Sequence, residues 1–238
     1  MYPIGFYDVS YILVIIGVVL CLLAQSKVKT TYARYSRVRT MSGITGQEAA
    51  ERILRQEGIY DVAVVRVSGT LTDHYDPRSK VVKLSEVIYN STSVAAVGVA
   101  AHECGHAIQD NQEYLPLRLR SAIVPVANLG ATLSWPMILI GIFLWSAGSY
   151  IGYSLVSIGI LCFSLAVLFQ LVTLPVEFDA SRRALRQLSV TGILPSEEQQ
   201  QTRAVLSAAA LTYVAAAASS MLQLLRLVIL FGGNRRRD

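Results

Sequence analysis

Three long runs of this chain carry no charge at all, and a fourth carries one. Val9 to Ala24, Ser121 to Trp145 and Tyr150 to Leu174 contain no Asp, Glu, Lys or Arg; Ala204 to Phe231 contains only Arg226. Runs of this kind restrict the fold more than any other feature. In hydrocarbon every backbone N–H and C=O must be satisfied within the chain, so such segments cross as helices, and about 20 residues suffice. Apolar residues make up 53 % of the chain and charged residues 16 %. That balance fits a membrane protein rather than an average soluble domain.

The run at 9–24 is about the minimum spanning length. No basic residue precedes it and no cleavage site follows it, so it reads as an anchor rather than a signal peptide. The runs at 121–145 and 150–174 are separated only by a short Ser-Ala-Gly-Ser turn, so they form a hairpin over 121–174 with both ends on one side. Pro125, Asn128 and Pro136 interrupt the first arm and predict a packing kink. The stretch 204–231 is Ala-rich and carries Ser207, Thr212, Ser219, Ser220, Gln223 and Arg226. It is read either as a fourth span or as a helix lying over the active site. A complete crossing would leave Arg235–Arg237 outside, so the second reading is preferred. Ser196-Glu-Glu-Gln199 after Pro195 reads as its capping box.

Orientation follows from the basic residues. Lys27, Lys29, Arg34, Arg37 and Arg39 follow the first run; Arg118 and Arg120 precede the second; Arg182, Arg183 and Arg186 follow the third. Asp8 is the only charge before the first run, and 146–152 has none. The positive-inside rule then predicts a multi-pass protein of the cell membrane with all the basic segments in the cytoplasm. The net charge of +5 comes largely from these flanks, so nucleic acid is not an expected partner. Cys21 and Cys162 fall in apolar runs and Cys104 lies elsewhere. No disulfide framework is expected.

Residues 102–106 read His-Glu-Cys-Gly-His. On a helix, His102 and His106 project from one face a turn apart. Two neutral imidazoles at that spacing can grip one zinc ion, and Glu103 can reach a water in an open coordination position. The upstream run Ser93–Ala101 is a good helix with small residues, and Asn90, Ser91, Thr92 and Ser93 offer N-caps. Buried His and Glu in an apolar helix are costly without a partner, and a metal removes that cost.

Catalytic zinc usually takes three protein ligands and a water. The chain has three histidines, His74, His102 and His106. A pattern with a third His further along the same helix fails, because Gln109 and Gln112 stand at the Gly and His positions. The third ligand is therefore His74 or a carboxylate. Glu177, in Leu174-Pro-Val-Glu-Phe-Asp-Ala-Ser-Arg-Arg183, is the better candidate, since it follows an apolar run directly and opens a helical stretch. The hairpin would bring it to the same membrane side as His106. The competing reading of Glu177 is a membrane-edge acid paired with Arg182 or Arg183.

Residues 40–120 then form the catalytic region, with a small α+β insertion at 44–92. Thr45-Gly-Gln-Glu48 is a capping box, and its helix is closed by Gly58. Asp61–Val67 and Val81–Ser85 read as strands, with 69–80 as a long turn between them. A strand just before the zinc helix can serve as an edge on which an extended peptide pairs.

Taken together, Leu-Thr-Asp-His-Tyr-Asp-Pro, Val-Val-Lys-Leu-Ser, Ala-Ala-His-Glu-Cys-Gly-His-Ala-Ile-Gln, the hairpin and Pro-Val-Glu-Phe-Asp-Ala-Ser-Arg-Arg resemble the YugP-like neutral zinc metallopeptidases. More distantly the layout is similar to the HtpX/Ste24-type membrane peptidases. The resemblance implies an α-helical membrane protein with a small, gluzincin-like α+β catalytic region. It implies one Zn²⁺ per chain on His102, His106 and Glu177, with Glu103 as general base, and peptide bonds of proteins as substrate. Residues 175–238 would supply the third-ligand helix and the C-terminal apolar helix. Those distant relatives carry Asp four residues after the ligand Glu, where this chain has Ser181, so the outer support of a histidine is left open. Tyr213, His74 and Tyr75 are candidates for the donor that stabilises the oxyanion. Two rival functions stand beside the peptidase: a non-catalytic membrane adaptor holding zinc, and an intramembrane protease. Glu103 is not a ligand and an adaptor has no need of it, and the polar stretch Gln109–Glu113 argues against a site in lipid.

Overall fold

A computed structural model describes residues 9–70 and 72–232 of the chain. Asp8, Leu71 and Arg235–Arg237, used in the reading above, lie outside the described residues. The elements run α1 (Tyr11–Tyr35), α2 (Gly46–Gln56), β1 (Ala63–Val67), β2 (His74–Asp76), β3 (Val81–Ser85), α3 (Glu86–Tyr89), α4 (Val94–Asn111), α5 (Leu115–Ser146), α6 (Tyr150–Val190) and α7 (Ser196–Phe231). Contacts divide the chain into two units. One holds residues 1–23, 119–173 and 213–238, and the other holds 24–118 and 174–212. Each of the four long helices passes from one unit to the other once.

The first unit consists of the apolar parts of α1, α5, α6 and α7, the four described helices long and apolar enough to cross a membrane. Its outer surface is not that of a water-soluble bundle. Leu139, Leu161 and Phe143 are 61, 63 and 72 % exposed, a pattern suited to lipid. Its small buried cluster joins Ile138 of α5, Val156 of α6, and Leu227 and Phe231 of α7. The hairpin packs on glycine. A Cβ at Gly152 would overlap the backbone of Trp145 and Gly141, so the two arms approach at near backbone contact there. α5 continues as helix through Pro125 and Pro136.

α1 and α7 run antiparallel within this unit. Arg226 stacks over the ring of Tyr11 at 4.5 Å, a Cβ at Gly17 would strike Ser219, and Cys21 Sγ lies 3.7 Å from the carbonyl of Ala215. As the α1 number rises the α7 number falls by a similar amount. The apolar part of α7 therefore accompanies the whole apolar run of α1. By length and composition α7 is a candidate span like the helix it pairs with, which favours the fourth-span reading of 204–231 over the one preferred from the sequence. Its N-terminus differs from the expected capping box too. The amide N–H of Gln199 bonds to the carbonyl of Pro195, and the Gln199 side chain turns back to Leu194.

The second unit has a core in which α2, α4 and the sheet meet. Ala49, Ala50, Ile53 and Leu54 of α2 pack with Ala96, Val97, Ala100, Ala101 and Cys104 of α4, and with Val82 and Leu84 of β3. The capping box of α2 is present as read: Thr45 Oγ1 accepts from the Glu48 amide, and Glu48 accepts from the Thr45 amide at 2.8 Å. Gly58 follows α2 with a positive φ of 70°, the left-handed position that glycine fills without strain. The sheet order is β1-β3-β2, with β1 parallel and β2 antiparallel to β3.

This sheet corrects two expectations. The segment read as a long turn contains β2, paired through Tyr75 with Val82. Its polar letters serve the turn chemistry around it. Asp73 accepts from the amide and hydroxyl of Ser85, and Asp76 accepts from the Ser79 hydroxyl at 2.7 Å and from Lys83 at 3.2 Å. As a result β3, the strand expected to offer a substrate edge, is flanked on both sides. β2 is the edge strand in contact with α4.

Candidate metal centre

The site is built on α4 and the segment of α6 that follows Pro175. α4 begins at Ser93, whose side chain accepts from the amide of Ala96 at 3.2 Å, the cap expected of a Ser at this position. Three turns on, His102 and His106 stand one above the other, their ring centroids 4.8 Å apart and nearly perpendicular. Gly105 lies between them in sequence and faces α6. A Cβ there would overlap the carbonyl oxygen of Ala180, so only glycine allows the two helices this approach. The approach brings in Glu177.

Glu177 Oε2 lies 3.3 Å from Nε2 of His102 and 3.7 Å from Nε2 of His106. These three residues form a metal-competent group whose ligand atoms all lie within 4.8 Å of one another. Zinc bonded at about 2.0 Å in a tetrahedron separates its ligand atoms by roughly 3.3 Å. Two imidazole nitrogens and one carboxylate oxygen at these spacings fit that ion. Glu177 is 3 % and His106 9 % exposed, so the acid is desolvated beside two imidazole rings. Burial disfavours protonation of His106, yet its bonds to Glu177 and the nearby charges of Glu103 and Glu177 raise its pKa above the usual imidazole value. Arg182 and Arg183 pair with Asp179, not with Glu177.

Glu103 lies beside this group but outside it. Glu103 is 8 % exposed, and its Oε2 accepts from the backbone N–H of Tyr75 in β2 at 3.0 Å. The edge strand thus holds one oxygen of Glu103 and leaves Oε1 for another partner. The Tyr75 hydroxyl donates to Asp110 at 2.8 Å, which also accepts from Lys80 at 2.8 Å. Burial and that acid push the phenol well above its usual range. The Tyr75 side chain is therefore occupied, which weighs against it as an oxyanion donor. His74 sits on the exposed face of β2 with Nδ1 2.8 Å from the Thr72 carbonyl, and it is not one of the clustered ligands. Tyr213 belongs to the apolar unit. Cys104 is buried, with Sγ toward the carbonyl of Ala50 and away from the ligand face.

Two outer residues went unassigned in the sequence. Ser181 Oγ lies 3.2 Å from Nδ1 of His102, so a hydroxyl occupies the position where the distant relatives carry Asp. Gln109 Oε1 lies 3.0 Å from Nδ1 of His106. Both had a helical signal. Gln109 is three residues after His106 and Ser181 four after Glu177, on the same faces as the ligands.

The family described as "Putative neutral zinc metallopeptidase" matches residues 10–232. A curated relative, "Putative membrane protease YugP" of Bacillus subtilis (strain 168), is 47 % identical over 176 residues, which is 74 % of this chain and 75 % of that protein. No solved structure matches. The donor set suits Zn²⁺ and four helices suit a bilayer, and with these matches the chain belongs to the neutral zinc metallopeptidases as a membrane-bound, zinc-dependent hydrolase.

Proposed function

We propose that the protein is an endopeptidase of the cytoplasmic membrane face, with His102, His106 and Glu177 as zinc ligands and Glu103 as general base. The observation that carries this reading is the placement of Glu103. A structural zinc site needs no second acid beside its ligands, yet here a buried carboxylate adjoins the ligand group with one oxygen held by the Tyr75 amide. When bound, zinc polarises a substrate carbonyl and lowers the pKa of water toward neutrality. Glu103 takes the proton at Oε1 while Oε2 stays on the strand amide, and then returns it to the leaving amine. His102 and His106 offer Nε2 from one face of α4, and Glu177 supplies the third donor from α6. This His₂Glu arrangement, with the second acid within the motif, is of the gluzincin kind. A peptide chain would reach it along β2, the edge strand beside α4.

The adaptor reading gives Glu103 no task. The intramembrane reading is disfavoured because α4 is not among the apolar spanning helices and packs in the unit that contains the sheet. The cytoplasmic placement is supported by the basic residues near the ends of α1, α5 and α6 against the uncharged 146–152 turn. The direct test is Glu103→Gln. It should keep about one zinc per chain and the fold, yet lose casein cleavage by several orders of magnitude, as expected when metal-activated water loses its base. Cleavage at the wild-type rate would refute the mechanism.

A further inference from the structure

Gln109 is fully buried on α4, and all three hydrogen-bonding functions of its amide are taken up. Nε2 donates to the carbonyl of Val176 at 2.8 Å and to Oδ2 of Asp179 at 3.0 Å. Neither partner can donate, so the amide nitrogen must face them and the oxygen must face His106. An amide oxygen only accepts. Nδ1 of the neutral His106 ring therefore carries the proton, which leaves Nε2, the atom on the Glu177 side, as the nitrogen free to hold a metal. The two acceptors flank Glu177 in sequence, one residue before it and two after. Asp179 is held in turn by Arg183, which reaches back to Gln112 at the C-terminal cap of α4. His102 lacks such a device, because the Ser181 hydroxyl can donate or accept and so dictates no tautomer.

We propose that Gln109 is a positioning residue that fixes the tautomer of His106 and, through the same amide, holds the Glu177 segment of α6 in register with α4. It rests on the reading of His106 and Glu177 as zinc ligands. The structural consequence is that zinc affinity depends on the direction of one buried amide that touches no metal.

The test uses the full chain in detergent, with zinc affinity read by competition against a chromophoric chelator and geometry read from the visible spectrum of the cobalt-substituted protein. Wild type binding about one zinc is the control for the ligand reading; if it binds none, that reading fails and this inference falls with it. Gln109→Met keeps the volume and removes the amide. It should weaken zinc roughly 10- to 100-fold, the range for outer partners of ligand histidines, and shift the cobalt bands. Gln109→Glu sets two carboxylates against each other at position 179 and should weaken zinc as well. Adding Asp179→Asn to Gln109→Glu restores a donor–acceptor pair with its polarity reversed, and should recover about tenfold of that loss, within the same range. Wild-type affinity and an unchanged cobalt spectrum in Gln109→Met would overturn the proposal. So would a paired variant no better than Gln109→Glu alone, since the residue would then act by packing. Should Gln109→Met fail to give the helical circular dichroism of wild type, the comparison of the paired and single Glu variants decides.

Discussion

Of the proposed ligands, Glu177 is the one that comes from α6, while both histidines share α4. Its contacts, at 3.3 and 3.7 Å, bring the acid to both imidazoles across the two helices. On the proposed ligand set, His102→Ala, His106→Ala and Glu177→Ala each lose most of the bound zinc, while His74→Ala keeps it. Metal analysis of the purified variants checks this, and full occupancy in Glu177→Ala would remove Glu177 from the set. The two histidines were legible at once, because a four-residue spacing is a local property of a helix. Glu177 was legible only as the better of two options, since nothing in its neighbours says which other helix it meets. Gln109 was illegible for the same reason. Its meaning lies in Val176 and Asp179, on a helix far along the chain.

Among the elements, the contact of α4 with α6 decides the geometry. Gly105 sits in that contact, and a methyl group there would strike the backbone of Ala180. Backbone cannot swing aside as a side chain can, so the helices must separate. Gly105→Ala is expected to reduce zinc binding at least tenfold, in line with losses from displaced ligand support, while leaving the helical circular dichroism near wild type. Zinc affinity measured alongside the spectrum checks it, and unchanged affinity would show that α6 yields without cost. The capped helix α2 and the zinc helix could be read from sequence because capping and i,i+4 spacing are short-range rules. The three-residue β2 could not. His-Tyr-Asp has no alternation long enough to mark a strand, and it pairs only because Val81–Ser85 lies opposite.

For the molecule as a whole, the antiparallel pairing of α1 with α7 makes the crossing of α7 a question that labelling can answer. If the site faces the cytoplasm as proposed, Ser10, Ser149 and Gly232 lie outside and Ser36 inside. Single cysteines introduced there in a background without native cysteines should react accordingly with a membrane-impermeant reagent added to intact cells. Labelling of positions 10, 149 and 232 with position 36 silent is the expected pattern, and labelling of 36 alone would invert it. A silent position 232 beside a labelled position 10 would mean that α7 does not cross. The same pairing has a bearing on how the protein is made. α1 is translated before α7, with the other described elements between them, so the early helix waits for its mate. The histidines and Glu177 are translated before α7 begins. The proposed ligand group can therefore assemble before α7 joins α1 in the apolar unit.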